Sequence, residues 1–301
     1  MKVLVLGGGD SPERDVSLRS AKSVALALRD AGHDVVEAEP INGDEIFNGI
    51  DQSVLVFPIL HGAGGEDGII QKKLEERGLR YLGSDSTVSK ICFDKNATRV
   101  KLNDSGIKVA EGGSVTKSDY WTNELITRPH VLKVQHGGSS IGTYIIRDPG
   151  HIYKEEVDAV FELDDHAIIE ELVVGIEITV PILDDKALPV IEIVPPQNED
   201  FNYENKYNGK TGELCPPQSI DSEVQAKAQE LAVLVHKNLG CRELSRIDMI
   251  VRQNGEIVVL EANTMPGMTD QSLYPKAALQ YGLTMPDLMN IFVDLVDRHK
   301  I

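Results

Sequence analysis

The chain has 301 residues, enough for two or three packed units, and its 41% hydrophobic and 26% charged side chains are the balance of an ordinary soluble globular protein. A formal net charge of −18 argues against an extended nucleic-acid or anionic-membrane surface, which needs a basic footprint, but it leaves local phosphate binding open. Cys92, Cys215 and Cys241 are widely spaced, form no CxxC or Cys/His pattern, and read as packing residues of a reducing compartment. The apolar run in Met1-Lys-Val-Leu-Val-Leu-Gly7 is too short for a signal peptide, and no run approaches ~18 apolar residues, so the expected location is the cytoplasm.

Residues 2–6 predict a short buried strand stopped by Gly7-Gly8-Gly9. Ser11 as N-cap and Pro12 at the first helical position predict a helix running to about Asp30, before Gly32. Val35–Ala38 is a second strand, so the chain opens β-α-β around a parallel sheet. The triglycine lacks the third glycine of G-x-G-x-x-G, and a nicotinamide-dinucleotide reading is set aside. Glu13 and Ser17 lie one turn apart at the helix entrance. Glu13 reads either as a complement to the helix dipole or as a carboxylate at the top of a parallel sheet, where such folds bind ligands. Val54–Leu60 is the next strand. His61-Gly-Ala-Gly-Gly-Glu-Asp-Gly68 follows it and leads into a helix from Ile69 to Arg77, a concave backbone suited to a ligand.

Residues 84–105 read as helical and contain Asp94-Lys95. Val131–Val134 is a strand, and Gly137-Gly138-Ser139-Ser140-Ile-Gly142 is either a hairpin turn or a donor-rich loop whose small residues let backbone N–H groups close on phosphate oxygens. It lacks the Gly-Lys-Ser/Thr ending of a P-loop. Ile168–Val174 and Glu177–Leu183 are strands. Gln197–Cys215 is a polar, aperiodic stretch between two Pro-Pro pairs, and loops of that length are usually functional or disordered. Its aromatic residues and Lys206-Tyr207 argue for a lid over a site. Helices are expected over 221–239, 275–281 and 286–298.

The densest pattern is Arg246-Ile-Asp-Met-Ile-Val-Arg-Gln-Asn-Gly-Glu-Ile-Val-Val-Leu-Glu-Ala-Asn263, two alternating runs flanking Asn254-Gly255, a strong hairpin signal. A two-residue turn there puts Asp248 opposite Glu261 and Arg246 opposite Asn263, all on one face. The other face would carry Ile247, Met249, Val251, Val258, Leu260 and Ala262. Carboxylates directly opposed repel, and a hard divalent cation turns that repulsion into binding because Mg²⁺ prefers oxygen ligands.

Taken together, seven segments in order resemble the D-alanine–D-alanine ligases: Gly7–Ser17, His61–Gly68, Asp94-Lys95, Gly138–Gly142, Tyr203–Tyr207, Arg246–Asp248 and Glu261–Leu273. The resemblance implies an α/β chain with α+β subdomains and the ATP-grasp fold. Residues 1–93 would form an N-terminal Rossmann-like domain, 94–177 a central subdomain, and 178–301 a C-terminal subdomain with the metal hairpin and lid 197–215. It further implies two D-alanines joined by ATP through an acyl phosphate, for peptidoglycan precursor synthesis, in a homodimer. Lys95 and Lys133 would hold phosphates, with Ser139, Ser140 and Lys206 beside them, while Glu170, Leu172 and Glu177 contact adenine and ribose. Asp248, Glu261 and Asn263 would ligate two Mg²⁺ ions, with Mn²⁺ as an alternative. Glu13 would bind the ammonium of the first D-alanine, near Ser17 and His61, and form a triad with Ser139 and Tyr207. Arg246 and the Gly267 N–H would stabilise the oxyanion, and Ser272 with Leu273 would hold the second carboxylate. Val134-Gln135-His136-Gly137 departs from the family, which commonly has a proline and a charged pair there. A D-alanyl-D-lactate or D-alanyl-D-serine ligase, and an inactive ATP-binding regulatory module, are the alternatives.

Overall fold

A computed structural model describes residues 1–41, 44–196 and 211–298. Strands β1 (Lys2–Leu6), β2 (Asp34–Ala38) and β3 (Val54–Pro58) form a parallel sheet in the order β2-β1-β3. Apolar residues fill both faces of β1, as a strand buried on both sides requires. Val3 and Val5 face one core with Leu55 and Phe57, and Leu4 and Leu6 face another with Val56, Ile70 and Leu74. The helix Arg14–Asp30 lays Ala21, Val24, Ala25 and Leu28 on the first core, at the i, i+3, i+4, i+7 spacing of a buried stripe. It begins later than its sequence suggests. Pro12 and Glu13 form a turn in which the Arg14 N–H donates to the Ser11 carbonyl at 3.1 Å, and the Ser11 hydroxyl accepts the Glu13 N–H at 3.2 Å.

Strands β4 (Gly112–Val115), β5 (His130–Val134), β6 (Thr143–Ile146) and β7 (Ala167–Glu171) make an antiparallel sheet in the order β4-β7-β5-β6. One of its faces packs Leu132, Val134, Ala167 and Ile169 against Val157 and Val160 of the helix Lys154–Leu163. The expected helix over 84–105 is two, Ser86–Phe93 and Lys95–Asp104. They break at Asp94, whose backbone is extended (φ −85°, ψ 103°) and whose carboxylate caps the second by accepting the Asn96 and Ala97 N–H groups, the usual N-cap exchange.

Strands β8 (Ile176–Leu183), β9 (Lys186–Ala187), β10 (Ile191–Val194), β11 (Gly212–Leu214), β12 (Leu244–Val251) and β13 (Ile257–Asn263) build the third sheet, ordered β11-β10-β8-β12-β13 with β9 on β8. The helix Ser222–Leu239, capped by Asp221 and ended by Gly240 at φ +87°, covers one face with Ala228, Ala232, Val235 and Leu239 against Ile178, Val180, Ile247 and Met249. The last helices, Leu273–Gln280 and Met285–Asp297, send Tyr274, Leu288 and Phe292 into the same core as Val3, Leu28 and Phe57. A single apolar core thus ties the N-terminal sheet to the C-terminal helices. Among the described residues no helix is long and apolar enough to cross a membrane.

The β12–β13 hairpin has the expected partners at its base but a different tip. Arg246 pairs with Asn263 and Asp248 with Glu261, and the register then shifts so that Met249 pairs with Val259. The turn is the three-residue kind: the Gly255 N–H donates to the Arg252 carbonyl and the Arg252 N–H to the Glu256 carbonyl, both at 2.9 Å, with Gly255 left-handed at φ +82°. This is the αL position of a type I turn followed by glycine. Leu260 is the extra residue of the bulge, and it absorbs the one-residue difference. Beyond it the faces exchange. Val259 joins Met249 in the core, whereas Val258 packs with Ile250, Ala110 and Val173, so Val258 is not on the face the simple alternation assigned it.

Candidate active site

The three sheets meet around a cavity of about 630 Å³. Its lining includes Glu13, His61, Glu66, Lys95, Ser139, Arg246, Glu261, Asn263, Gly267, Ser272 and Leu273, which come from segments scattered along the whole chain. Glu13, at the start of the first helix, is 6% exposed, and the Ser139 hydroxyl donates to its Oε1. Ser139 and Ser140 both hold left-handed backbone, φ 52° and 58°. Such strain for a non-glycine residue persists only where the surroundings enforce it, and it clusters at working sites. The stretch does join two antiparallel strands, β5 and β6, so hairpin connection and donor-rich loop are one structure. Lys95 Nζ donates to the Gly137 carbonyl of the same loop.

Gly62 explains why the His61 loop is glycine-rich. Its φ is +74° and a Cβ there would stand 2.6 Å from Glu13 Oε2, so a side chain would evict the carboxylate. The Gly62 N–H donates to Glu66 Oε2 at 2.7 Å. Glu66 is buried, and its burial, reinforced by the neighbouring Glu13 charge, pushes its pKa up to about 8. His61 is held neutral by burial, its pKa lowered to about 4, and its Nε2 lies 3.1 Å from the Ser20 hydroxyl. That hydroxyl also accepts the Met268 N–H at 3.3 Å, which ties the His61 loop to the segment after β13.

On β12 the Arg246 guanidinium pairs with Asp248 through both carboxylate oxygens, at 2.9 and 2.7 Å. The Thr179 hydroxyl, from β8, donates to the same Asp248 Oδ1 at 2.5 Å. The Asn263 side-chain oxygen accepts the Met265 N–H at 2.9 Å. The Ser272 hydroxyl lies 2.8 Å from Thr269 Oγ1 and accepts the Thr269 N–H at 3.1 Å. Ser272 therefore precedes the helix Leu273–Gln280 without capping it, and the first amides of that helix remain an anion-binding terminus. Lys276 and Glu213 pair across the outer cavity.

Several expected site residues lie elsewhere. Ser17 is fully buried behind the cavity, where its hydroxyl accepts the Gly8 N–H at 2.9 Å and donates to the Ile59 carbonyl at 2.6 Å. Both bonds join the glycine turn to the end of β3, so its role is structural. Lys133, Ser140, Glu170, Leu172, Glu177 and Asp248 are outside the cavity lining. Lys133 and Glu170, assigned to opposite ends of a nucleotide, are bonded to each other at 2.5 Å. Glu177 is at the start of β8, opposite Ile250 of β12 and Ile193 of β10. Lys206, Tyr207 and lid residues 197–210 lie outside the described residues, while Thr211 and Glu213 line the cavity. Sequence reasoning missed Glu66 as a separate residue, although it lies within a quoted segment. It also missed Thr179, which alternates with Glu177 on β8, and Arg99, one helical turn after Lys95.

Among the described residues no three His, Cys, Asp or Glu side chains gather as a metal centre. Asp248, Glu261 and Asn263 are two carboxylates and an amide. That set suits Mg²⁺, which binds through one or two carboxylates and completes its shell with phosphate oxygens and water. The Arg246 guanidinium is the cation that Asp248 meets in this structure.

A mixed α/β chain with one parallel and two antiparallel sheets around a single cleft of this kind is of the ATP-grasp class. The chain belongs to the D-alanine–D-alanine ligase family: residues 102–294 match the family model described as D-ala D-ala ligase C-terminus. It is 37% identical to the D-alanine–D-alanine ligase of Halalkalibacterium halodurans, over 98% of this chain and 99% of that one. The crystal structure of the Bacillus anthracis D-alanine–D-alanine ligase complexed with ATP is similar at a TM-score of 0.82 and 30% identity, covering 99% of this chain and 97% of that one. The VanG D-Ala:D-Ser ligase from Enterococcus faecalis has a TM-score of 0.84 at 28% identity, covering 98% and 99%.

Proposed function

We propose that the chain joins two D-alanines into D-alanyl-D-alanine with ATP, releasing ADP and phosphate, in the synthesis of peptidoglycan precursors. The observation that carries this reading is the convergence on one cavity of Glu13 with Ser139, Arg246 with Glu261 and Asn263, and Ser272 at a helix start. A carboxylate is a poor electrophile. The first D-alanine carboxylate therefore attacks the γ-phosphorus and displaces ADP, and the second amine attacks the acyl carbon of the acyl phosphate through a tetrahedral intermediate that expels phosphate. Phosphoryl transfer asks a protein for positioning and charge neutralisation rather than a side-chain nucleophile.

In this scheme Glu13 holds the first ammonium, with its carboxylate oriented by Ser139. Lys95 and Lys133 meet the phosphates. Arg246 and the Gly267 N–H stabilise the oxyanion, and Ser272 with Leu273 holds the second carboxylate. Asp248, Glu261 and Asn263 would hold Mg²⁺, whose charge offsets that of the phosphates. Water must be kept from the acyl phosphate, the task assigned to the segment 197–215. The family reading also carries a cytoplasmic homodimer and the three-part division at 1–93, 94–177 and 178–301.

The test is ADP and phosphate release by the purified protein with Mg²⁺, ATP and a panel of D-alanine, L-alanine, D-serine and D-lactate. Release that depends on D-alanine alone supports the dipeptide reading. Release requiring D-serine beside D-alanine moves it to the second reading, with which the likeness to a D-Ala:D-Ser ligase is compatible. ATP binding without release in any mixture refutes an enzyme and leaves a regulatory module.

A further inference from the structure

The face of the β4-β7-β5-β6 sheet turned away from the helix Lys154–Leu163 carries a buried cluster of three charges. Lys133 Nζ donates to Glu170 Oε1 at 2.5 Å, and Arg99 Nη1 donates to Glu170 Oε2 at 3.1 Å. None of the three side chains is more than 10% exposed. Among the described residues two cations share one carboxylate, so these three side chains together carry one positive charge in surplus. A surplus charge held out of water is unfavourable until a counter-ion completes it. Lys95, four residues before Arg99 on the same helix, faces the same side, lines the cavity and bonds the glycine-rich loop. One carboxylate is thus set between Lys133 and Arg99, with the cavity-lining Lys95 one helical turn before Arg99, in a chain whose net charge is −18.

We propose that Arg99 is a positioning residue for the nucleotide phosphates, an inference that rests on the ATP-binding reading above. By holding one oxygen of Glu170, Arg99 prevents that carboxylate from closing on Lys133 alone and leaves the surplus charge of Lys133 for phosphate. It acts through Glu170 and does not touch the nucleotide. Replacing Arg99 by a neutral residue leaves Lys133 fully neutralised by Glu170.

Calorimetric titration with Mg·ATP and with adenosine tests this on the wild-type protein, Arg99→Gln and Arg99→Lys. The expected result is that Arg99→Gln weakens ATP by about 10-fold or more, the worth of a charge-assisted hydrogen bond. Adenosine should weaken less than ATP does, because the lost charge serves the phosphates, and Arg99→Lys should recover most of the ATP affinity. Should Arg99→Gln fail to fold, Arg99→Met, which keeps the packing of the aliphatic stem, is read in the same way. Equal losses for ATP and adenosine, or wild-type ATP affinity in a folded neutral variant, overturn the inference alone. Absence of ATP binding by the wild-type protein overturns the nucleotide reading and this inference with it.

Discussion

Arg246 and Asp248, two residues apart on β12, form a two-bonded ion pair at 2.9 and 2.7 Å, directly across the ladder from Asn263 and Glu261. The pair joins two duties assigned to this edge, since the residue reserved for an oxyanion is also the present counter-ion of a candidate metal ligand. Mg²⁺ bound there would share Asp248 with Arg246, and the remaining carboxylate, Glu261, would decide the affinity. We predict that Glu261→Gln folds normally but needs at least about 10–100-fold more Mg²⁺ for turnover, the range seen when groups supporting a metal are changed. A Mg²⁺ titration of ADP release, with circular dichroism as the folding control, checks it, and an unaltered Mg²⁺ requirement would remove Glu261 from the metal set.

Thr179 fixes one oxygen of Asp248 from the neighbouring strand, at 2.5 Å. Thr179→Val keeps the shape and removes the donor. The expected outcome is a Mg²⁺ requirement raised about 10-fold with the affinity for D-alanine unchanged, since outer-shell partners tune metal affinity on that scale. A change in the D-alanine KM without one in the Mg²⁺ requirement would argue that Thr179 does not act through Asp248.

Ser139 donates to Glu13 from 126 residues further along the chain. A hydrogen bond to a charged group is worth ~1.5–3 kcal/mol, so Ser139→Ala should raise the KM for the first D-alanine about 10–100-fold. Steady-state kinetics with D-alanine varied at saturating ATP reads this. If ATP affinity falls and the D-alanine KM does not, Ser139 serves the phosphates instead.

Two buried histidines make the fold acid-sensitive. His61 and His236 are each lowered from 6.5 to about 4 by burial. Between those values the unfolded chain binds more protons than the folded one, so stability falls as pH drops from 6.5 towards 4. Glu66 acts in the opposite sense. Its pKa is raised from 4.5 to about 8 by burial and by Glu13, so the folded chain binds more protons in that interval and this contribution is lost as pH rises through about 8. Urea denaturation from pH 4.5 to 8.5 should show a smaller acid-side loss in His236→Gln and a smaller alkaline loss in Glu66→Gln. Parallel curves for variant and wild type would refute the assignments.

What could be read in advance was periodic and local. The opening β-α-β, the paired residues at the base of the β12–β13 hairpin, and the glycine-rich connections follow from alternation, helical spacing and turn chemistry. The hairpin tip was misread because Asn-Gly suits both two- and three-residue turns, and only the ladder reveals the compensating bulge at Leu260. The surroundings of Ser17 are illegible for a different reason: a serine one turn from Glu13 looks the same in sequence whether its hydroxyl meets a ligand or, as here, the Gly8 amide and the Ile59 carbonyl. Arg99 and Thr179 owe their importance to partners 71 and 69 residues away. The Glu170 and Asp248 carboxylates that give them meaning are neighbours only after the sheets assemble.

The central claim is that a D-alanine carboxylate is phosphorylated before the peptide bond forms. D-alanine labelled with ¹⁸O in its carboxylate, incubated with ATP, Mg²⁺ and the purified protein, tests it by mass analysis of the released phosphate. One carboxylate oxygen must leave with the phosphoryl group, so the account predicts phosphate carrying a single ¹⁸O in step with dipeptide formation. Unlabelled phosphate accompanying dipeptide would contradict it.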